Sequence, residues 1–358
     1  MSLGLRVYII TTNYDTARRT SIPKDKILFG KKNINIIKFD VLKQHSLFLK
    51  VLAFKFFYTK EIKIFLEKNI HRFDYICTQG PFTYLTYKAI KEAYKKQIPI
   101  AYHMRGMLQK THLKKNYFLK MLFYYFVEKN NLMRSNLLVA LSKNELRTYQ
   151  DLTPDKKIVL IPNVVGRSNI QDQVIPALNK LGKKDILLSY IGRIDPWKRI
   201  DLLLDVFHKV RKSYYGNVYL VIAGHQNKQY LNQLLIQKEK GKNVIILPFL
   251  DIPQKKYLLK RTKVFIYFSK GEGLSMSILE SLQSKVPVVC TNECNLPEIN
   301  KYKCGFNSVS NKNILAKNVL SLITSRKKYI SAKMNTQAVV KLFEKERVAR
   351  LWKKNFLS

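Results

Sequence analysis

A chain of 358 residues with 46% hydrophobic content is ordinary for a globular protein but longer than one core usually supports, so two domains are expected. Its four cysteines, Cys77, Cys290, Cys294 and Cys304, lack the paired short spacings of a zinc site, and a chain this size needs no disulfide staple, so reduced structural thiols are expected. A formal charge of +41 leaves nucleic acid, an anionic membrane surface and phosphate-bearing substrates all open, and a general richness in Lys, Ile and Asn accounts for much of it as solvated faces.

In the first half, apolar runs of strand length fall at residues 5–10, 34–39, 73–78, 98–103, 137–141 and 158–161. Helical patterns separate them, as in parallel sheets with crossover helices. None reaches the roughly 18–20 residues that span a bilayer, and the run at 118–127 is interrupted by Lys120, so a cytoplasmic protein is expected. From Lys88 to Arg134 basic residues interleave with aromatics such as Tyr94, Phe118, Tyr125 and Phe126, against only Glu92 and Glu128. The pattern suits helices with an aromatic core face and a wet lysine face, and it also suits docking on anionic lipid.

Residues 166–185 are polar and aperiodic and read as an interdomain linker. Strand runs resume at 186–191, 218–223, 244–247, 264–268 and 286–290, and residues 339–356 place Leu342, Phe343, Val348, Leu351 and Trp352 at near-helical spacing. The expected organisation is an α/β protein with two doubly wound domains, 1–165 and 186–338. A terminal amphipathic helix, 339–358, is expected to pack back on the first domain. Strands buried on both faces read as continuous apolar runs, and ligands bind at their carboxyl ends. Two such ends facing one cleft would hold a donor in one domain and an acceptor in the other.

The richest segment follows the strand ending at Phe268. Gly271 and Gly273 let the backbone approach a ligand, and amides from Gly273 through Leu274 and Ser275 to Met276 would open a helix that attracts phosphate. Glu272 and Glu280 are acceptor-only carboxylates suited to sugar and ribose hydroxyls. A plainer reading makes Ser277 to Glu280 a capping box and Glu272 a surface acid. With 24 acids in the chain, two at prescribed positions arise by chance about once in two hundred, whereas 65 basic residues give about one in thirty. The acids therefore weigh more.

The nine residues from Glu272 to Glu280, EGLSMSILE, resemble the Glu-x7-Glu signature of family 4 glycosyltransferases of the GT-B fold. A second block, Tyr190-Ile191-Gly192-Arg193-Ile194-Asp195-Pro196-Trp197-Lys198, is similar to the family's strand, Gly-Arg and following Lys; matches at 221–224, 286–289 and 295–299 keep the family order. The resemblance implies that Arg193 and Lys198 grip the donor diphosphate, where negative charge develops as the glycosidic bond breaks. Taken alone, Arg193 reads as a surface partner of Asp195 and Lys198 as a solvated lysine. Two departures stand out, Arg199 for the Gly after the donor Lys and Lys285 for the Gly before Pro287.

In the first half the resemblance is looser. At 98–107 a strand ends in His103-Met104-Arg105-Gly106-Met107, and the family places such a His near the donor sugar, although a lone His at a strand end is more often a satisfied polar group. The family's glycine-rich loop after the first strand is replaced by Thr11-Thr12-Asn13-Tyr14-Asp15, so Thr12, Asn13 and Arg105 are acceptor-side candidates. The resemblance implies a retaining enzyme in which the donor phosphate helps to deprotonate the incoming hydroxyl. It implies no metal and no other cofactor, and no ligand cluster stands out among the histidines, acids and cysteines. The expected reaction moves a sugar from a nucleotide-sugar to a glycan acceptor, lipid-linked, in capsule or lipopolysaccharide assembly. The expected location is the inner face of the cytoplasmic membrane, with its anionic surface as partner. The rivals are a basic nucleic-acid-binding protein, against which no recognisable nucleic-acid-binding signature appears, and another GT-B enzyme such as an epimerase or phosphorylase.

Overall fold

The computed structural model describes residues 5–12, 14–15, 20–21, 34–39, 60–113, 117–166, 170–182, 184–225, 229–230, 232–233 and 243–357. The chain divides into two compact units, residues 1–161 with 349–358 and residues 162–348. Each is a parallel-sheet α/β assembly.

In the first unit β1 (Val7–Thr12) pairs in parallel with β4 (Ile34–Phe39), and the short β2 (Tyr14–Asp15) and β3 (Thr20–Ser21) pair antiparallel. A four-stranded parallel sheet follows, β5 (Ile76–Gln79), β6 (Ile100–His103), β7 (Leu137–Ala140) and β8 (Ile158–Leu160), in that order. The helices Lys60–Asn69, Tyr84–Lys95 and Lys143–Leu152 contribute Ile62, Leu66, Ile90 and Tyr149 to its core, against Ile100, Tyr102 and Leu138 from the strands. Glu128 is fully buried within it. Its carboxylate accepts from the Phe82 amide at 2.7 Å, the Tyr102 hydroxyl at 2.8 Å and Asn131 Nδ2 at 3.2 Å. Burial raises its pKa while those donors pull it down.

Among the described residues the second unit holds six parallel strands, β9 (Ile186–Ile191), β10 (Val218–Ala223), β11 (Val244–Leu247), β12 (Val264–Tyr267), β13 (Val288–Thr291) and β14 (Gly305–Ser308). Their order is β11-β10-β9-β12-β13-β14. The chain thus builds outward from β9 to β11 and then crosses to the other side of β9 to lay down β12. Between β9 and β12 the connections diverge to opposite faces, which leaves a crevice at the carboxyl ends of those two strands. Strands β9 and β12 are buried along nearly their whole length, and Leu188, Phe265 and Ile266 have no exposed surface, each contributing roughly 1.5–3 kcal/mol through burial. Where β10 ends, Gly224 has φ +150°, and a Cβ there would lie 1.8 Å from the Gly192 carbonyl oxygen. Only glycine permits that approach.

Two stretches depart from the expected organisation. Residues 166–185 fall within the second unit rather than between the units. Although polar overall, they bury Ile175, Leu178 and Leu181, and Arg261 donates to the carbonyls of Leu178 and Leu181 at 2.8 and 3.0 Å. The expected terminal helix over 339–358 is broken. The helix Arg326–Val340 runs into a 3-10 turn, Lys341–Phe343, then extended Glu344, and a new helix, Lys345–Trp352, begins. Residues 349–358 belong to the first unit, where Phe356 packs 5.0 Å from Tyr75 and the Asn355 carbonyl accepts from Lys157 at 3.1 Å.

Candidate functional site

The site of the second unit is built at the carboxyl ends of β9 and β12. Tyr190 and Tyr267, one from each strand, stack with ring centres 5.3 Å apart and planes 16° apart. The Tyr190 hydroxyl donates to the Arg193 carbonyl at 2.7 Å, which folds the chain over just after Gly192, where a Cβ would meet that hydroxyl at 2.6 Å. Asp195 then caps the turn Pro196–Lys198 by accepting from the amides of Trp197 and Lys198 at 2.9 and 3.2 Å. Arg199 closes the turn in the left-handed region at φ 47°, a conformation that glycine adopts without strain. The Trp197 indole donates to the Gly271 carbonyl and the Trp197 carbonyl accepts from the Lys270 amide, both at 2.9 Å. The loops after β9 and β12 are thereby clipped together.

That clip brings Lys198 to Glu272. Their side chains form an ion pair that is 8% and 14% exposed, so it lies largely out of water without being sealed from it. The Tyr267 hydroxyl donates to the same carboxylate at 3.3 Å, and the Lys198 ammonium lies 5.5 Å from the Tyr267 ring centre. Burial, and secondarily the charge of Glu272, push the Tyr267 pKa well above its usual value, so this hydroxyl stays a donor. The backbone of Glu272 is pinned as well: its amide donates to the Glu293 carbonyl at 3.0 Å, and its carbonyl accepts from Asn295 Nδ2.

After this loop Gly273 is half-buried, Leu274 and Ser275 are buried, and Met276, exposed, opens the helix Met276–Gln283. Ser277 lies inside that helix and Ser275 occupies its cap position, so the capping box read from Ser277 to Glu280 does not form. Glu280 instead receives two hydrogen bonds from Lys255 of the helix Ile252–Arg261, at 2.7 and 2.8 Å. Arg193 stands apart, 65% exposed and 3.6 Å from Asp195.

In the first unit His103 closes β6 and is 3% exposed. Among the described residues neither ring nitrogen has a hydrogen-bond partner, which argues against a satisfied structural histidine. Burial, with a smaller contribution from Arg105, lowers its pKa to about 3, so the ring is neutral. Trp352 packs against it, ring centres 5.6 Å apart. Arg105 adopts φ 49° and donates through Nε to Gln79 Oε1 at 2.7 Å. Thr12 ends β1, and Asn13 lies outside the described residues. Lys255, Tyr267, Asn295 and Trp352 were not singled out for this chemistry in the sequence. Tyr267 carried one signal, a lone hydroxyl near the carboxyl end of an otherwise apolar strand.

Comparison with known proteins adds to this geometry. Residues 171–339 match the family model described as glycosyl transferases group 1. The O-antigen biosynthesis glycosyltransferase WclY of Escherichia coli is 27% identical over 158 residues, 43% of this chain and 43% of that protein. The capsular polysaccharide biosynthesis glycosyltransferase CapH of Staphylococcus aureus is 26% identical over 192 residues, 49% and 54% of the two. The matched region thus spans about half the length of these curated relatives. Among solved structures, Anabaena Alr3699/HepE in complex with UDP and glucose superposes with a TM-score of 0.69 at 16% identity over 97% of each chain. Apo OtsA gives 0.73 at 11% identity over 98% and 99%. The fold is therefore the two-unit α/β architecture of the GT-B glycosyltransferases, and residues 171–339, which hold Lys198, Glu272 and Glu280, are similar to glycosyl transferases group 1.

Proposed function

We propose that the protein is a retaining glycosyltransferase of the family 4 kind. It moves a sugar from a nucleoside-diphosphate sugar, with UDP-sugars the first candidates, to a lipid-linked glycan acceptor in the assembly of a cell-surface polysaccharide such as capsule or lipopolysaccharide. The observation that carries this reading is the joining of Lys198 and Glu272 at the switch point between β9 and β12. A cation and a carboxylate placed together there suit the two halves of such a donor, the diphosphate and the sugar hydroxyls. The names of the curated relatives, from O-antigen and capsule biosynthesis, support the same reading.

In this reading Lys198 and the exposed Arg193 meet the diphosphate, Glu272 and Tyr267 meet sugar hydroxyls, and Glu280, oriented by Lys255, meets the ribose. The bond between the sugar C1 and the phosphate oxygen breaks. The acceptor oxygen bonds C1 on the same face, and the acceptor proton passes to the departing phosphate. The two cations offset the charge gained by the leaving group, and no metal is required. His103, held neutral by burial, offers one donor and one acceptor to a sugar hydroxyl. Thr12, Asn13 and Arg105 belong to the acceptor side. The protein works at the inner face of the cytoplasmic membrane; among the described residues no helix is long and apolar enough to cross one.

Thermal melting against a panel of uridine and guanosine diphosphate sugars tests the reading. One donor should raise the melting temperature in proportion to the logarithm of its concentration, by roughly 2.7 kcal/mol of stability at a hundred times Kd, and Lys198→Met should abolish the shift. A flat response to every donor, together with micromolar sequence-selective binding of nucleic acid, overturns it.

A further inference from the structure

Between β6 and β7 the chain leaves the carboxyl end of the sheet at His103 and returns to its amino end at Asn136, whose side chain accepts from the Ile100 amide at 2.9 Å. The return path is the helix Tyr117–Phe123, a π turn over Tyr124–Glu128 and the helix Lys129–Arg134. Its inner face is fully used. Tyr124 and Leu132 are buried in the core, and the Phe123 ring packs 5.7 Å from Phe82. Its outer face is not. Phe118, Leu122, Tyr125 and Phe126 are 81%, 48%, 60% and 73% exposed, at the i, i+4, i+7 and i+8 positions that form one helical stripe. Four large apolar side chains in one stripe mark an interaction surface.

The sequence on either side of the stripe carries charge of one sign. From residue 93 to residue 144 the only acid is Glu128, and it is the carboxylate sealed in the core by Phe82, Tyr102 and Asn131. This span therefore presents no acid to solvent, while Lys96, Lys110 and Lys129 are exposed.

We propose that the stripe anchors the protein on an anionic bilayer: Phe118, Leu122, Tyr125 and Phe126 enter the headgroup layer, and the surrounding cations meet lipid phosphates. A protein partner could match the cations only with acids of its own, and single-stranded nucleic acid would need stacking faces along the strip, which Leu122 does not offer. Hydrocarbon fits all four side chains. The topology adds a purpose. Phe118 lies in the first turn of the returning segment, on the side of the sheet where β6 ends and where ligands bind in such sheets, so a lipid-tethered acceptor would be delivered to that edge. The inference deepens the sugar-transfer reading and rests on it for the identity of the acceptor.

The test is co-sedimentation of the full chain with vesicles of phosphatidylcholine alone or with one-third phosphatidylglycerol, at low and high salt. The Phe118→Ser/Phe126→Ser variant should partition about a hundredfold more weakly onto the acidic vesicles, about tenfold for each ring removed. Phe126→Trp should show a blue-shifted emission on them. The double variant should melt like the wild type and keep the same donor-induced melting shift, since neither ring is in the core. Equal partitioning of wild type and double variant, with binding fully reversed by salt, reduces the effect to charge and overturns the anchor. So does loss of self-association or of RNA binding in the double variant without a change in lipid partitioning. Vesicle insertion without any donor-induced shift leaves the anchor standing and removes the sugar-transfer reading instead.

Discussion

Lys198 and Glu272, 74 positions apart in the chain, form an ion pair at the carboxyl ends of adjacent strands, and a tyrosine hydroxyl holds the same carboxylate. Removing either partner strands the other in a largely dry setting. Lys198→Met and Glu272→Gln should each cost about 2 kcal/mol of stability, and the double variant less than their sum, because it leaves no unpaired charge. Urea melts of the four proteins check this. In donor turnover each single variant should lose at least about a hundredfold in kcat/KM.

Lys255 is predicted to act through Glu280. Lys255→Met frees both carboxylate oxygens from the bonds that orient them, and should raise the donor KM about tenfold with little change in kcat. Lys255→Arg, which can also reach both oxygens, should restore most of the loss. Steady-state kinetics with the donor varied separates this from a folding defect, which would lower the active fraction and leave KM alone.

The two glycines at the ends of β9 and β10 should respond differently to alanine. In Gly224→Ala the new methyl meets backbone at 1.8 Å and the position has φ +150°, so a loss of at least about 3 kcal/mol is expected. In Gly192→Ala the nearest atom is the side-chain hydroxyl of Tyr190 at 2.6 Å rather than backbone, and it must release the Arg193 carbonyl. Donor binding should weaken there with a smaller loss of stability. Melting curves and donor titrations of both variants decide the matter.

His103 should leave a signature in acid. Its folded pKa of about 3 lies below the value of about 6.5 in an unfolded chain, so below pH 6.5 the unfolded state binds the extra proton. The stability it contributes is fully present above pH 6.5 and is lost as the pH falls toward 3. Between pH 6 and 4 the wild type should lose about 1.4 kcal/mol per pH unit relative to His103→Asn. Buried Glu128 and Glu145, whose raised values act in the opposite direction, are common to both proteins and cancel in the difference. Equal slopes in the two proteins refute the assignment.

The second unit was legible because its strands are buried on both faces. β9, β10 and β11 coincide residue for residue with the apolar runs at 186–191, 218–223 and 244–247. β14 was missed because the edge strand Gly305–Ser308 has no apolar run, only glycine, one phenylalanine, asparagine and serine. β5 was expected from residue 73 and begins at Ile76, since Phe73 and Asp74 still belong to the turn that ends the preceding helix. In the site, Glu272 and Glu280 stood out because acids are scarce in this chain. Lys255 could not stand out among 65 basic residues, and its role exists only because two helices bring it to Glu280. Trp352 lies 249 positions from His103, a separation that no local pattern encodes.

The closure of the first unit by residues 349–358 also fixes an order of events during synthesis. Residues 1–161 leave the ribosome without the segment that packs on His103 and Tyr75. All 187 residues of the second unit, 162–348, must be made before that segment exists, roughly 10–40 s at ordinary elongation rates. Of these two units the one begun first is therefore completed second, and for that interval the surface beneath Trp352 and Phe356 stays open to whatever nascent-chain binders the cell provides.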